Sequence, residues 1–409
     1  MASPPLSTAA KEAAKSAVAL TAGRAAFQPR LTYDASPNIP RSFFLGHHNA
    51  GLARMRQTLS TIGLIIECRD FRVPITSWNP LLEQSLAASS PSERARIIVY
   101  THRDLGPDDP PSPSVSAAAA RHLRDFHLRH GHAVEVLFTG AGPAYASPTA
   151  ALLAAVKRVA RERDSLTGLR ALVVGMPNAG KSTLLNALRR RSGIGGGGGG
   201  GGAKVARTGA NPGVTRKLSS PVRIVPAETA DDPSLRGVGE GVFVVDTPGV
   251  FVPYVSDPEK MLKLALVGCV RDGILPRETL VDYLLYRLNL VCASAAEPAY
   301  VARLRMDGPT NDVGEFLDGV ARRLGKLTKG GRPNHDAAAE WAVQEWRRGG
   351  LGKALLDDVT PESLAAAMEE ARETALSMHQ ARKRDKQARK ARNEARRLGI
   401  LSDADDEGD

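Results

Sequence analysis

The segment GMPNAGKST, residues 175–183, has the residue types and spacing that hold a phosphate chain. Gly175 and Gly180 allow the backbone to curl so that its N–H groups point inward, and the N-terminus of the following helix adds a partial positive charge. Lys181 is placed to reach the β- and γ-phosphates of a nucleotide, and the Ser182 hydroxyl to bind Mg²⁺. Because a hydrophobic strand precedes this segment and a helix opens within it, we interpret it as a phosphate-binding loop (P-loop) and not as a chance glycine-rich turn. The further residues expected to contact nucleotide here are Asn178, Ala179 and Thr183.

A second motif, DTPG at residues 246–249, ends the hydrophobic strand GVFVV. Asp246 is expected to hold Mg²⁺, and the Gly249 N–H to meet the γ-phosphate. Between the two motifs, Thr215 in NPGVTRK can supply a second hydroxyl to Mg²⁺ once a γ-phosphate is present, so this segment is predicted to act as a switch. DTPG alone is a common turn and a single threonine is weak evidence, so their order along the chain carries the assignment.

A phosphate-binding loop does not select a base, and no N-K-x-D sequence follows DTPG. However, THRD, residues 101–104, ends a predicted strand before the P-loop, and FTG, residues 138–140, ends the next. The Asp104 carboxylate can accept hydrogen bonds from guanine but finds no such donors on adenine. Thr101, His102, Thr139 and Gly140 complete the predicted base site. The alternative is that THRD is only a turn, which would leave an ATP-using enzyme open.

Alternating strands and helices up to residue 257 predict an α/β fold with a mostly parallel sheet, which binds ligands at the carboxyl ends of its strands. Helical periodicity replaces the strands beyond that point. We therefore predict four regions, which are an N-terminal segment 1–40, a nucleotide-binding domain 41–257 with a polyglycine insertion at 193–203, an all-helical domain 258–357, and a charged C-terminal helix with an acidic tail over 358–409.

The formal net charge of +11 favours acidic partners, either nucleic acid or anionic lipid. Residues 1–40 are rich in Ala, Ser and Pro with only Glu12 and Asp34 acidic, as in a mitochondrial transit peptide, although a disordered tail has a similar composition. Residues 381–397 carry nine basic and two acidic side chains and no aromatic ring, which fits contact with an RNA backbone better than base stacking. A solvated helix and anionic inner-membrane lipid remain alternatives. No apolar run reaches the length of a membrane span.

The sequence resembles the circularly permuted GTPases that assist assembly of the large ribosomal subunit, and especially their mitochondrial members. The resemblance covers about residues 42–357 and depends on several motifs in the same order. These motifs are FFLGHHNAGLARM at 43–55, ECRDFRVPITSWNP at 67–80, GMPNAGKSTLLNAL, NPGVTR, DTPGV, KLALVGCVRDGILP at 263–276 and GRPNHDAAAEWAVQEWRRGGLGK at 331–353.

The resemblance implies GTP and GDP as ligands, Mg²⁺ as cofactor, and K⁺ at Asn178 as a candidate ion. It implies that His47 positions the attacking water, because Val250 stands where many GTPases have a glutamine; packing at the sheet edge is the alternative for His47. It also implies a monomer that binds the mitochondrial large subunit and its rRNA in the matrix, with peripheral lipid contact as a candidate. T-H-R-D in place of N-K-x-D predicts weaker nucleotide affinity, and a scaffold with little hydrolysis is the alternative function.

Overall fold

The computed structural model describes most of the folded part of the chain. The described residues are 27–36, 38–41, 46–87, 94–107, 115–142, 145–164, 166–193, 220–251, 255, 257–292, 297–372, 383 and 387, with residues 46–51, 87, 291, 292 and 372 described in backbone only. Thr215, nearly all of the polyglycine insertion and almost all of the basic run 381–397 therefore lie outside the described residues.

A six-stranded sheet forms the centre of the first domain. Its strands are β1 (Leu64–Asp70), β2 (Ala95–Thr101), β3 (Glu135–Phe138), β4 (Leu169–Gly175), β5 (Val222–Val225) and β6 (Val242–Asp246). The order across the sheet is β3-β2-β1-β4-β6-β5, and every neighbouring pair is parallel except β5 with β6. The predicted mostly parallel α/β fold is thereby confirmed, and the carboxyl ends of five strands meet along one edge.

Five helices accompany the sheet, which are α1 (Gly46–Thr58), α2 (Pro80–Ala87), α3 (Val115–Arg129), α4 (Ala146–Arg163) and α5 (Lys181–Arg191). α4 and α5 cover the same face, because each presents apolar residues three or four positions apart to the sheet. Leu152 and Val156 from α4, and Leu184 and Leu188 from α5, are buried in one cluster with strand residues such as Val173. This packing fixes the start of α5, and with it Lys181, against the end of β4.

Beyond β6 the described elements are helices. They are α6 (Pro258–Leu266), α7 (Arg277–Cys292), α8 (Ala299–Leu304), α9 (Val313–Leu324), α10 (His335–Arg347) and α11 (Pro361–Arg372). Asp257, Asp312 and Asn334 each cap a helix by accepting a backbone N–H with the side chain, so these three starts are set locally by sequence. α6 to α10 share one apolar core that includes Tyr283 and Trp346. No helix in the described part of the chain has the length and apolar character needed to cross a bilayer.

The last described helix, α11, packs on the sheet domain. Its residues Leu364, Ala367 and Ala371 are buried together with Phe71 and Tyr100 from the sheet side. The sequence predicted a separate charged helix from residue 358, because the strong positive charge farther on dominates the composition of that region. The packing instead makes the first part of this region a cover for the sheet.

The N-terminal segment packs on the helical domain. The Arg30 guanidinium lies 2.7 Å from the Asp282 carboxylate, and the Tyr33 ring meets Tyr283 edge-on at 5.0 Å between centroids. Ile39 is buried in the helical core. The sequence assigned residues 1–40 to a removable or disordered segment. The packing of these side chains shows that the folded part begins no later than about residue 27.

A truncation series tests this boundary. Removal of residues 1–26 should leave the thermal unfolding temperature unchanged, because every described contact of the segment is retained. Removal of residues 1–40 should lower that temperature, because Ile39 and the Arg30–Asp282 ion pair are lost. As a milder variant, Ile39→Ala should reduce the free energy of unfolding by about 2–5 kcal/mol. Equal unfolding temperatures for the two truncations would contradict the assignment.

Candidate nucleotide-binding site

The P-loop joins β4 to α5 in a backbone conformation that requires glycine at two positions. Gly175 has φ +144°, and a side chain there would overlap the Cys68 carbonyl of the neighbouring strand β1. Gly180 has φ +76° at the start of α5, and Asn178 also has positive φ at +57°. The predicted strand–loop–helix context of this motif is present.

Lys181 and Ser182 stand in the first turn of α5 at the P-loop. The Lys181 ammonium is buried and donates to the Met176 carbonyl at 2.7 Å, inside the loop that it would share with phosphates. Burial lowers its pKa, and the Asp246 carboxylate partly offsets this effect. Binding of phosphate oxygens would provide the charge that the buried ammonium lacks.

The predicted Mg²⁺ ligands Ser182 and Asp246 are in contact. The Ser182 hydroxyl donates to Asp246 Oδ2 at 2.6 Å, and burial raises the pKa of Asp246 against the opposing effects of Lys181 and Ser182. A hydroxyl and a carboxylate oxygen are the kind of ligands that Mg²⁺ prefers, and a bound cation would stabilise the charged carboxylate. These two residues therefore fit the ion, which when bound would neutralise charge on the phosphates.

The DTPG loop packs directly on the P-loop. A side chain on Gly249 would lie 2.5 Å from the Pro177 nitrogen, so only glycine fits, and the Val250 N–H donates to the Gly175 carbonyl at 3.1 Å. The Val250 side chain is buried, and its carbonyl accepts from the Asn79 amide at 2.8 Å. Val250 is thus held in place at backbone and side chain and cannot orient a water. Asn79 was not singled out from the sequence, because its partner Val250 lies far away in the chain and nothing near Asn79 indicates that contact.

The predicted base loops also come together. Asp104 lies in a short 3-10 turn (Arg103–Leu105) directly after β2, and Gly140 follows β3 so closely that a side chain on Gly140 would overlap the Asp104 carboxylate. The Arg103 N–H donates to the Thr139 carbonyl at 2.9 Å, which ties the two loops together. The five residues of the predicted base site are therefore neighbours at the same sheet edge as the P-loop.

Thr101 connects the base loop to the P-loop. Its hydroxyl is 3.1 Å from the carbonyl of Ala179 in the P-loop and 3.1 Å from the carbonyl of Arg69 on β1. The sequence predicted weaker nucleotide affinity from T-H-R-D in place of N-K-x-D, and Thr101 stands where that motif has asparagine. In the structure the shorter side chain still reaches the P-loop, because β2 and the loop approach closely enough for Thr101 to contact Gly180 as well.

His102 is held by a buried ion pair below the base loop. His102 has φ +56°, and its Nδ1 lies 3.1 Å from Asp70 Oδ2. Arg72 donates to both Asp70 oxygens, at 3.0 and 2.7 Å. Burial by itself would raise the pKa of Asp70, but Arg72 and His102 outweigh it and hold the pKa well below its usual range. Arg69, on the same strand, points away into a buried network with Glu67 and Glu83.

Three predicted residues remain without a described contact to the site. The His47 side chain is not described, although its backbone lies in α1, and Thr215 lies outside the described residues. Thr183 is exposed in the first turn of α5. Asn178, the candidate K⁺ ligand, donates its amide to the Gly268 carbonyl of the helical domain at 2.7 Å.

Several known proteins are similar to this chain. A family model described as 50S ribosome-binding GTPase matches residues 170–277. Mitochondrial GTPase 1 of Schizosaccharomyces japonicus is 35% identical over 340 residues, which cover 78% of this chain and 91% of that protein. Mitochondrial ribosome-associated GTPase 1 of Xenopus tropicalis is 28% identical over 349 residues, which cover 80% and 98%. GNP-bound YlqF from T. maritima has a TM-score of 0.44 at 20% identity, covering 74% of this chain and 96% of that structure.

The order of loops along the sheet, together with the matching family model, defines the class: this is a circularly permuted P-loop GTPase, in which the THRD strand precedes the P-loop strand. The identity and coverage of its relatives then place it within that class. The chain belongs to the mitochondrial GTPase 1 family.

The contact between Thr101 and the P-loop predicts the effect of a conservative change. Thr101→Val should weaken binding of GTP and GDP alike by about 1–2 kcal/mol, or roughly 5–30-fold, because the single hydroxyl proton shared by the buried Ala179 and Arg69 carbonyls is lost while the volume is kept. Thr101→Ser keeps the hydroxyl and should bind nearly as the wild type. Titration with fluorescent nucleotides measures both variants. Unchanged affinity in Thr101→Val would show that the hydroxyl does not brace the loop.

Proposed function

We propose that this GTPase is a mitochondrial assembly factor, which binds the large ribosomal subunit with GTP and leaves it after hydrolysis. The similarity to relatives named mitochondrial and ribosome-associated supports the location and the partner. The main structural support for a dependence on bound nucleotide is the contact between Thr101 and Ala179, because it joins the base loop and the phosphate loop into one site. A conformational change in either loop can therefore alter the position of the other loop.

In this proposal Asp104 reads guanine. Its turn lies beside Gly140, and the missing side chain of Gly140 leaves room for the Asp104 carboxylate at the sheet edge. A carboxylate there accepts from two guanine N–H groups, whereas adenine would leave it unpaired. The close packing of these two loops favours a base-binding site over the alternative that THRD is only a turn.

For hydrolysis, we assign each predicted residue one role. Lys181 and the Gly249 N–H stabilise charge on the γ-phosphate as its bond to the leaving GDP breaks. Thr215 closes over the phosphates in the GTP state, and His47 positions the water that attacks. The buried Val250 cannot take the usual glutamine role, which leaves that role to His47 from another segment, so intrinsic hydrolysis is slow and is stimulated by the ribosome.

The finer aspects of location follow from charge and packing. A mitochondrial presequence ends before about residue 27, because residues from Arg30 onward belong to the folded helical domain. The basic run 381–397 contacts rRNA phosphates, with peripheral anionic inner-membrane lipid as a second acidic surface. The protein acts as a monomer, and K⁺ binds beside Asn178 during hydrolysis.

Base selectivity gives a direct test. Asp104→Asn should lower GTP affinity by on the order of 10²-fold and raise affinity for xanthosine triphosphate, because the amide can donate to the xanthine oxygen. Competition of both nucleotides against a fluorescent analogue measures the change. Lys181→Ala is the matched control and should lose both triphosphates. If Asp104→Asn still prefers GTP, the base is read elsewhere.

The assembly role is tested by hydrolysis rates with and without purified mitochondrial large subunits, in K⁺ and in Na⁺. We expect a many-fold acceleration by large subunits and none by small subunits, with Lys181→Ala inactive throughout. No acceleration, together with GTP-dependent binding to the subunit, would favour the alternative function, a nucleotide-dependent scaffold. The buried Val250 is the observation that favours this alternative, because its side chain cannot orient the attacking water.

A further inference from the structure

The end of α10 reaches the nucleotide edge through Arg347, a residue outside all nucleotide-binding motifs. The Arg347 side chain is 12% exposed and its Nε and Nη2 donate to the carbonyls of Leu266 and Ala265, each at 2.8 Å. Asp272 accepts from the same guanidinium at 2.8 and 3.1 Å. Arg347 thereby binds two carbonyls at the end of α6, and the Ala265 carbonyl also accepts the Gly268 N–H at 3.0 Å, so the guanidinium and the following turn meet at the same helix end.

The turn that Arg347 holds touches the P-loop. Directly after α6, the Gly268 carbonyl accepts from the Asn178 amide at 2.7 Å, and the Cys269 thiol lies 3.1 Å from the Pro177 carbonyl. Gly268 has φ +83°, and a side chain on it would lie 3.2 Å from the Asn178 nitrogen. Two consecutive residues of the turn thus contact two consecutive residues of the P-loop.

The same helix end contacts the base side of the site. Trp346 is buried and stacks under Arg72, whose guanidinium carbon is 5.3 Å from the ring centroid. Gly349 has φ +85°, and a side chain on it would lie 3.3 Å from Leu105 of the turn that carries Asp104. The end of α10 therefore lies against both loops that we assign to nucleotide.

We propose that Arg347 is a positioning residue for nucleotide binding, which fixes the P-loop through the Gly268 turn and Asn178. The proposal rests on the proposed nucleotide site and adds a residue of the helical domain to it. Since the P-loop contacts phosphates common to GTP and GDP, Arg347 acts on both nucleotides equally and does not affect the choice of base. A residue that only stabilised the helical domain would change the unfolding temperature and not the affinity of the folded protein.

The first test compares Arg347→Ala with Arg348→Ala, whose neighbouring side chain is exposed. Affinities for fluorescent GDP and GTP are measured on full-length protein, with thermal unfolding recorded for each variant. Arg347→Ala should weaken both nucleotides by about 2–30-fold, and Arg348→Ala should match the wild type. Arg347→Lys, which keeps the charge but not the planar fork, should fall between them. Wild-type affinity in folded Arg347→Ala or Arg347→Lys would overturn the proposal.

A second test leaves Arg347 in place and alters the turn. Gly268→Ala should weaken both nucleotides, because its side chain displaces Asn178. Gly273→Ala is the matched control, since Gly273 has φ +89° but no atom within 4 Å of the added carbon. Equal effects of the two glycine variants would attribute the loss to backbone strain and contradict the proposal.

A double-mutant cycle with Asn178→Ala identifies the route. If Arg347 acts through Asn178, the double variant should bind about as weakly as the weaker single variant, whereas additive losses would show a different route and overturn the proposal. Lys181→Ala separates this inference from the proposed site. If Lys181→Ala keeps GTP, the site itself is wrong; if it loses GTP while Arg347→Ala does not, only the role of Arg347 fails.

Discussion

The nucleotide site depends on how closely the backbone after β4 packs against its neighbours. Gly175 lies against the Cys68 carbonyl of β1, and Gly249 lies against Pro177 from the other side. The Thr101 hydroxyl reaches the Ala179 carbonyl from β2. Parallel strands about 4.8 Å apart bring their carboxyl ends to one edge, so loops from strands on both sides of β4 meet there. The P-loop is therefore held on three sides by its neighbours in the fold.

The helical domain provides a further contact to this loop and is not an independent appendage. The Gly268 carbonyl accepts from Asn178, and the Asp357 carboxylate accepts the backbone N–H groups of Ile75 and Thr76, at 2.9 and 2.7 Å. These last two lie in the segment between β1 and α2 that also supplies Asn79 to the DTPG loop. The same stretch of chain thus joins the sheet, the DTPG loop and the helical domain, so displacement of the helical domain would be transmitted to the site.

The T-H-R-D variant is compatible with this arrangement through local compensation. Thr101 is shorter than the asparagine of the usual motif, yet the close approach of β2 and the P-loop lets its hydroxyl lie 3.1 Å from the Ala179 carbonyl. His102 replaces a lysine, and the buried Asp70–Arg72 pair holds its ring. A buried carboxylate with a guanidinium partner stays charged, so it remains an acceptor for His102. The base loop therefore keeps its position beside the P-loop although Thr101 and His102 differ from the usual motif.

The mostly parallel α/β fold and the positions of its strands could be predicted from the residue pattern alone, whereas the roles of the site residues stay predictions. The apolar runs before THRD, before the P-loop and before DTPG predicted the strands that end at Thr101, Gly175 and Asp246, because local periodicity and glycine positions are encoded within a few residues. Tertiary packing was needed to place Ile39 in the helical core, α11 over the sheet, and Arg347 against the end of α6. These contacts join residues far apart in the chain, and a single arginine or isoleucine has no local pattern that names its distant partner.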